Sequence, residues 1–191
     1  MNISKKVRRV NNFEKKIITN TFNQISPKFN ELLEEDKFSM YITLNKEPEK
    51  QQISIYLIHR KLNYLEQLIN FADIHSFGLY FGFIKKGKFF LSLEGADFLY
   101  KGNFISKKDE LIVNKEGEKA ILYGNNVLKK MILHFPLEAK SESLIMILNE
   151  LEELIGIGFT KIKGDDFNKY FPEDLITVNL IDKGYYLRRE N

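Results

Sequence analysis

The chain has 191 residues, 43% of them hydrophobic, which suits one large or two small domains with real cores. No apolar run approaches the roughly 20 residues of a membrane span, and the absence of cysteine excludes disulfides, thiol nucleophiles and thiolate metal sites. The net charge of +3 is uneven: residues 1–106 carry 16 Lys and Arg against 11 Asp and Glu, a net +5, while residues 107–191 carry 13 against 15, a net −2. Any nucleic-acid surface in the second half is therefore expected to be a local patch.

The basic opening run, Lys5, Lys6, Arg8 and Arg9, leads into no apolar segment of signal-peptide type. It reads as a solvated tail or a flexible arm on RNA. Phe13, Ile17, Ile18, Phe22 and Ile25 then recur at helical spacing, with Asn11 or Asn12 able to cap the helix. Ser26-Pro27 opens a second short helix through Leu32 and Leu33. Phe38 to Leu44 and Ile53 to Ile58 read as a hairpin with a long polar loop. Leu62, Leu65, Leu68, Ile69 and Ala72 mark an amphipathic helix. Phe77 to Ile84 and Phe89 to Leu93 flank the turn Lys85-Lys86-Gly87-Lys88, and Glu94 to Tyr100 forms a short helix that Lys101-Gly102-Asn103 ends. Residues 1–105 thus form an N-terminal α/β domain with an antiparallel sheet and flanking helices.

Short strands at close spacing follow over 107–191: Glu110 to Val113, Val127 to Phe135, Leu144 to Leu148, Ile155 to Lys161 and Leu175 to Leu180, with Tyr185 to Arg188 as a sixth. Short helices are expected over Glu116 to Tyr123 and Asp165 to Tyr170. Many short strands with few helices point to a small β-barrel, and the whole chain to the α+β class.

Ala120-Ile121-Leu122-Tyr123-Gly124-Asn125-Asn126-Val127-Leu128-Lys129 resembles the signature segment of a PUA domain. More closely, it resembles the Nip-seven family of large-subunit ribosome-biogenesis factors of archaea and eukaryotes, with Asn126 where the family shows His. Phe81-Gly82-Phe83, Ala96-Asp97-Phe98-Leu99, Gly156-Ile157-Gly158, Pro172 and Gly184-Tyr185-Tyr186-Leu187-Arg188 extend the likeness over 77–190. The resemblance implies a PUA-type barrel over 107–191 that binds RNA, rRNA or pre-rRNA. It also implies an N-terminal domain used for contacts with other ribosome-assembly proteins, and no catalysis. Lys, Ile and Asn usage suggests an archaeal protein, which is expected to be cytoplasmic and monomeric.

The residues expected to meet RNA are Lys119, Tyr123, Gly124, Asn125, Lys129, Lys161, Lys163, Lys169 and Arg188. Tyr123 can stack on a base, and Gly124 can leave backbone groups open to a nucleotide. The blander alternative makes Gly124 a helix C-cap and Tyr123 a core residue. Strand alternation would put Lys129 and Lys130 on opposite faces, the resemblance implying that Lys129 is the one toward the ligand, and Lys161 and Lys163 on one face. Lys169 follows close by, and Arg188 can hold a phosphate bidentately.

His59, His75 and His134 stand in no metal-ligand spacing, so no metal is expected. No dinucleotide, Walker or nucleophile-elbow motif is present, and Glu150-Leu151-Glu152-Glu153 reads as a solvated turn, so no cofactor and no catalytic residue are expected. Two other readings stand beside the assembly factor. One is an RNA-modifying enzyme with its catalytic half in residues 1–105. The other is a protein adaptor whose PUA fold no longer binds RNA.

Overall fold

In the computed structural model, the described residues are 6–25, 37–44, 52–61, 77–105 and 107–188. The second helix expected after Ser26, the polar loop after Leu44, the helix from Leu62 to Ala72, and Lys5 lie outside them. Among the described residues no helix is long and apolar enough to cross a membrane. The chain divides into two compact units, residues 1–98 and 99–191.

The N-terminal unit is built on an antiparallel sheet in the order β1 (Lys6–Arg9), β2 (Phe38–Leu44), β3 (Gln52–His59), β4 (Leu79–Lys85) and β5 (Lys88–Leu91). Pleating gives each face its own row of side chains. Arg8, Ile42, Ile55, Gly82 and Leu91 stand opposite one another across the five strands. Helix α1 (Asn12–Ile25) packs on that face and reaches β5. Ile18, Ile42 and Ile55 are fully enclosed there. Arg9, Tyr41 and Tyr56 stand opposite one another on the other face, where Tyr41, Ile58 and Phe77 cluster. Helix α2 (Leu93–Lys101) follows β5, with Ser92 accepting from the Gly95 N–H at its start.

The basic opening run is the first departure from the sequence reading. Lys6–Arg9 is an edge strand, not a free arm, and it pairs along the whole of its length with Tyr41–Leu44. What fixes it is Glu14. The Asn11 side chain accepts from the Glu14 N–H at 2.9 Å, and the Glu14 carboxylate accepts from the Asn11 N–H at 3.0 Å, a reciprocal capping box. Arg8 donates to both oxygens of the same carboxylate, at 2.7 and 2.9 Å. Three residues local in sequence thereby lock β1 to α1.

The C-terminal unit is a mixed, nearly closed sheet in the order β7 (Val127–Leu128), β11 (Leu175–Asp182), β10 (Leu154–Thr160), β9 (Leu144–Leu148), β6 (Glu110–Val113), β8 (Ile132–His134). All its pairs are antiparallel except β6–β9. Its interior holds Leu111, Val113, Ile121, Val127, Ile147 and Ile176, with helix α3 (Lys115–Leu122) contributing Ile121. The expected PUA-type barrel with short helices is this unit.

Three local expectations are corrected. The strand read over Val127 to Phe135 is broken by a 3-10 turn at Lys129–Met131, because the Lys129 and Lys130 N–H groups bond outward to the Asp174 and Pro172 carbonyls. The opposite-face argument for these lysines therefore lapses. Tyr185 to Arg188 is not a sixth strand but lies in a short helix, α4 (Gly184–Arg188). Strand β10 stops at Thr160, so Lys161 and Lys163 do not share a strand face.

Burial works to raise the Glu14 pKa, but the Arg8 hydrogen bonds, the Asn11 N–H and the Arg8 charge overcome it and hold the carboxyl below its ordinary value of 4.5. A group whose pKa is depressed by folding stabilises the fold above its unfolded pKa, and that contribution is lost as pH falls through the folded value. Glu14→Ala should cost about 1–2 kcal/mol in urea unfolding at pH 7, the scale of a lost helix cap. The gap from wild type should narrow as pH is lowered below 4.5. A pH-independent gap would contradict this role for the pair.

Candidate nucleic-acid interface at the end of helix α3

Helix α3 begins with Asn114, whose side chain accepts from the Gly117 N–H at 2.9 Å. It ends at Tyr123 in a Schellman motif: Gly124 N–H donates to Ile121 O at 2.8 Å and Asn125 N–H to Ala120 O at 2.9 Å. Gly124 has φ +84°, the left-handed conformation this motif requires. The blander reading of Gly124 as a C-cap is thus the observed one. For Tyr123 it is not, since the ring is 66% exposed and outside the core. Lys115, Lys119 and Tyr123 follow one another at four-residue steps, which places them in one ridge on the helix. All three are exposed, and neither lysine makes an ion pair among the described residues.

The carbonyls that a helix end leaves open are taken by side chains from β11 and α4. Asn179 donates from Nδ2 to Ile121 O at 3.2 Å and to Asp182 at 3.0 Å. Asn126 Oδ1 accepts from the Asn179 N–H at 3.0 Å. The Arg188 guanidinium donates to Leu122 O and grips both oxygens of the buried Asp182 carboxylate at 2.9 and 3.0 Å. The hydrogen bonding to Asp182 and the charge of that carboxylate raise the Arg188 pKa further, against the opposing effect of burial. A Cβ on Gly124 would come within 3.0 Å of that guanidinium. Arg188 therefore holds the helix end, with its planar fork already occupied.

The other expected residues lie elsewhere on the unit, and most are engaged. Lys129 donates to Asn168 O at 3.3 Å and to Tyr170 O, with its ammonium 5.4 Å from the centre of the Phe167 ring. Lys169 pairs with Asp166 at 2.6 Å. Lys161 pairs with Glu142 at 3.2 Å and lies over the Phe159 ring. Lys130 bridges Glu116 and Glu173 at 3.4 and 3.3 Å. Lys163 is exposed and makes no ion pair among the described residues. The structure thus brings together Lys119, Tyr123, Gly124, Asn125 and Arg188, and leaves the Lys129–Lys169 and Lys161–Lys163 groups apart. Sequence reasoning missed Lys115, Asn179 and Asp182. The four-residue spacing of Lys115, Lys119 and Tyr123 was visible in the sequence, but the two β11 residues carried no local signal.

The barrel that carries this capped helix end is of PUA type: residues 109–191 match the UPF0113 PUA domain family. A UPF0113 protein of the archaeon Archaeoglobus fulgidus is 29% identical over 156 residues, covering 81% of this chain and 83% of its own. The protein named 60S ribosome subunit biogenesis protein NIP7 homolog of Dictyostelium discoideum is 28% identical over 142 residues, covering 74% of this chain and 77% of its own. A solved PUA domain structure from Aeropyrum pernix K1 has the same fold, with a TM-score of 0.66 at 11% identity over 96% of this chain and 89% of that one. The chain is thus similar along most of its length to both archaeal UPF0113 and eukaryotic NIP7 proteins, and its residues 109–191 carry the UPF0113 PUA domain match.

Asp182→Ala should lower the stability of the C-terminal unit by about 2 kcal/mol, the scale of losing a buried acceptor with several donors left behind. Lys161→Gln, which removes an exposed ion pair, should change it by less than about 0.5 kcal/mol. Chemical denaturation of the two variants side by side checks the contrast. Equal effects would show that the clamp does not hold the unit.

Proposed function

We propose that this protein is a non-catalytic RNA-binding factor of large ribosomal subunit assembly, acting in the cytoplasm as a monomer. In this reading the unit over 107–191 meets rRNA or pre-rRNA, and the unit over 1–105 meets other assembly proteins. The observation that carries the RNA part is the Lys115–Lys119–Tyr123 ridge: two unpaired cations and an exposed ring, one helical turn apart, beside the backbone of Gly124 and Asn125. Lysines at that step can follow successive phosphates as point charges, and an exposed ring offers a face to a base. The assembly role is supported by the names of the NIP7 relatives.

The set of RNA-binding residues narrows accordingly. Lys119, Tyr123, Gly124 and Asn125 form the contact, joined by Lys115, with Lys163 as an outlying cation. Arg188 positions the contact by holding the helix end, and Lys129, Lys161 and Lys169 serve the barrel itself. This weighs against the adaptor reading, which rested on the net −2 of residues 107–191. A net charge counts paired and unpaired cations alike, whereas a phosphate meets only the unpaired ones. Two groups among the described residues whose titration the fold disturbs, Tyr80 and Asp109, have burial as the first cause. Burial, aided by the neighbouring Tyr56, pushes the Tyr80 phenol up to about 12, and burial likewise raises Asp109.

Binding of a fluorescein-labelled oligouridylate, followed by anisotropy over a salt series, tests the proposal. Each phosphate neutralised on a single strand contributes about −0.7 to the slope of log K against log salt. The variant Lys115→Gln/Lys119→Gln should therefore flatten the slope by about 1.4. Tyr123→Ala should weaken binding by about 1–3 kcal/mol and leave the slope alone. Wild-type affinity and slope in both variants would rule the ridge out. The assembly role is tested separately by whether the tagged protein co-sediments with large-subunit precursors on sucrose gradients.

A further inference from the structure

The highest local density of unpaired cations among the described residues lies outside the PUA unit. Lys85, Lys86 and Lys88 sit at the β4–β5 hairpin, all exposed and without an ion pair among the described residues. The register pairs Lys85 with Lys88 and Phe83 with Phe90. Both pairs therefore stand on one face of the hairpin, in adjacent rows, opposite the face that buries Ile84, Phe89 and Leu91. The Phe83 and Phe90 rings are stacked, with centroids 5.1 Å apart and planes at 15°. Phe90 is 43% exposed.

We infer that this hairpin face is a second single-stranded RNA contact, in which Lys85, Lys86 and Lys88 track phosphates and the Phe90 ring, backed by Phe83, receives a base. The inference rests on the reading of the protein as an RNA binder and adds a site on its other unit. Lysines on an edge hairpin have a bland use, since charge there discourages pairing with another sheet. That use accounts for the lysines but not for a large apolar ring left open beside them. The turn points the same way. Lys86 and Gly87 both have positive φ, +49° and +71°, the two-residue turn in which asparagine, aspartate or glycine normally fills the first place. A lysine there accepts conformational strain and adds a third cation at the tip. Cations interleaved with a stacked aromatic are the pattern of sequence-tolerant single-strand binding.

The test uses the full chain and the same labelled oligouridylate. Lys85→Gln/Lys86→Gln/Lys88→Gln should flatten the salt slope by about 2, at about 0.7 per phosphate contact. Phe90→Ala should weaken binding roughly tenfold with the slope unchanged. Thermal melts matching wild type show that each variant is folded, and the lysine variant stands by itself if Phe90→Ala melts early. Tyr123→Ala serves as the reference for the PUA ridge. Weakening by Tyr123→Ala together with wild-type affinity and slope in the lysine variant overturns the hairpin site alone. No saturable binding by the wild type overturns the RNA reading and this site with it.

Discussion

The grip of Arg188 on Asp182 is the interaction on which the proposed binding edge depends. Helix α3 is only eight residues long, too short to be stable on its own propensity. Its last turn is held because the Asn179 amide and the Arg188 guanidinium take the Ile121 and Leu122 carbonyls, while Asp182, buried beside them, orders both donors. A cation at a helix C-terminus also complements the helix dipole. With the end fixed in this way, Tyr123 projects outward and Gly124 and Asn125 turn the chain sharply into β7. Exposed recognition groups are thus carried on a rigid backbone, which limits the ordering cost of binding.

The N-terminal unit uses the same device at the opposite end of a helix. Arg8 grips Glu14 at the start of α1, and the same carboxylate closes the capping box. In both units an arginine that a sequence reader assigns to solvent or to a ligand is committed to a buried carboxylate. The reason is geometric: the planar guanidinium fork matches a carboxylate with two parallel bonds, whereas an ammonium offers only a point charge. Arg8 and Arg188 are drawn inward by such pairs, and the cations proposed above to meet a polyanion are lysines.

That difference explains what was legible in the sequence. Strands with period-two burial, such as Lys88–Leu91 and Glu110–Val113, and helices with apolar residues at 3.6 spacing emerge where local pattern places them, because local pattern and tertiary packing agree. Three of the misreadings involve partners distant in the chain. Lys129–Met131 coils because the 172–174 segment captures its N–H groups, and α4 carries an arginine whose acceptors, Leu122 and Asp182, come from two other elements. Strand β1 pairs with Tyr41–Leu44, more than thirty residues on. The end of helix α3 was legible as a C-cap because Tyr123-Gly124-Asn125 encodes it in three consecutive residues, a purely local event, whereas the PUA reading rested on resemblance to the family's segment. Which exposed lysines are unpaired was not legible, since that depends on carboxylates brought in by the fold.

Electrostatic attraction to a nucleic acid follows from this pairing, not from the charge of a segment. Lys130, Lys161 and Lys169 each face a carboxylate of their own unit, so a phosphate approaching them must compete with an ion pair already formed. Lys115, Lys119 and the hairpin lysines face water alone among the described residues, and a phosphate there displaces only counterions and solvent. The counterions released are cations condensed on the nucleic acid, and a lysine that must first give up a carboxylate partner offsets part of that gain. A chain with a net charge of only +3 can therefore present a strongly cationic contact, provided that its unpaired cations are grouped beside rings that stack on bases. The α3 ridge and the β4–β5 hairpin are two places in this protein where that grouping occurs.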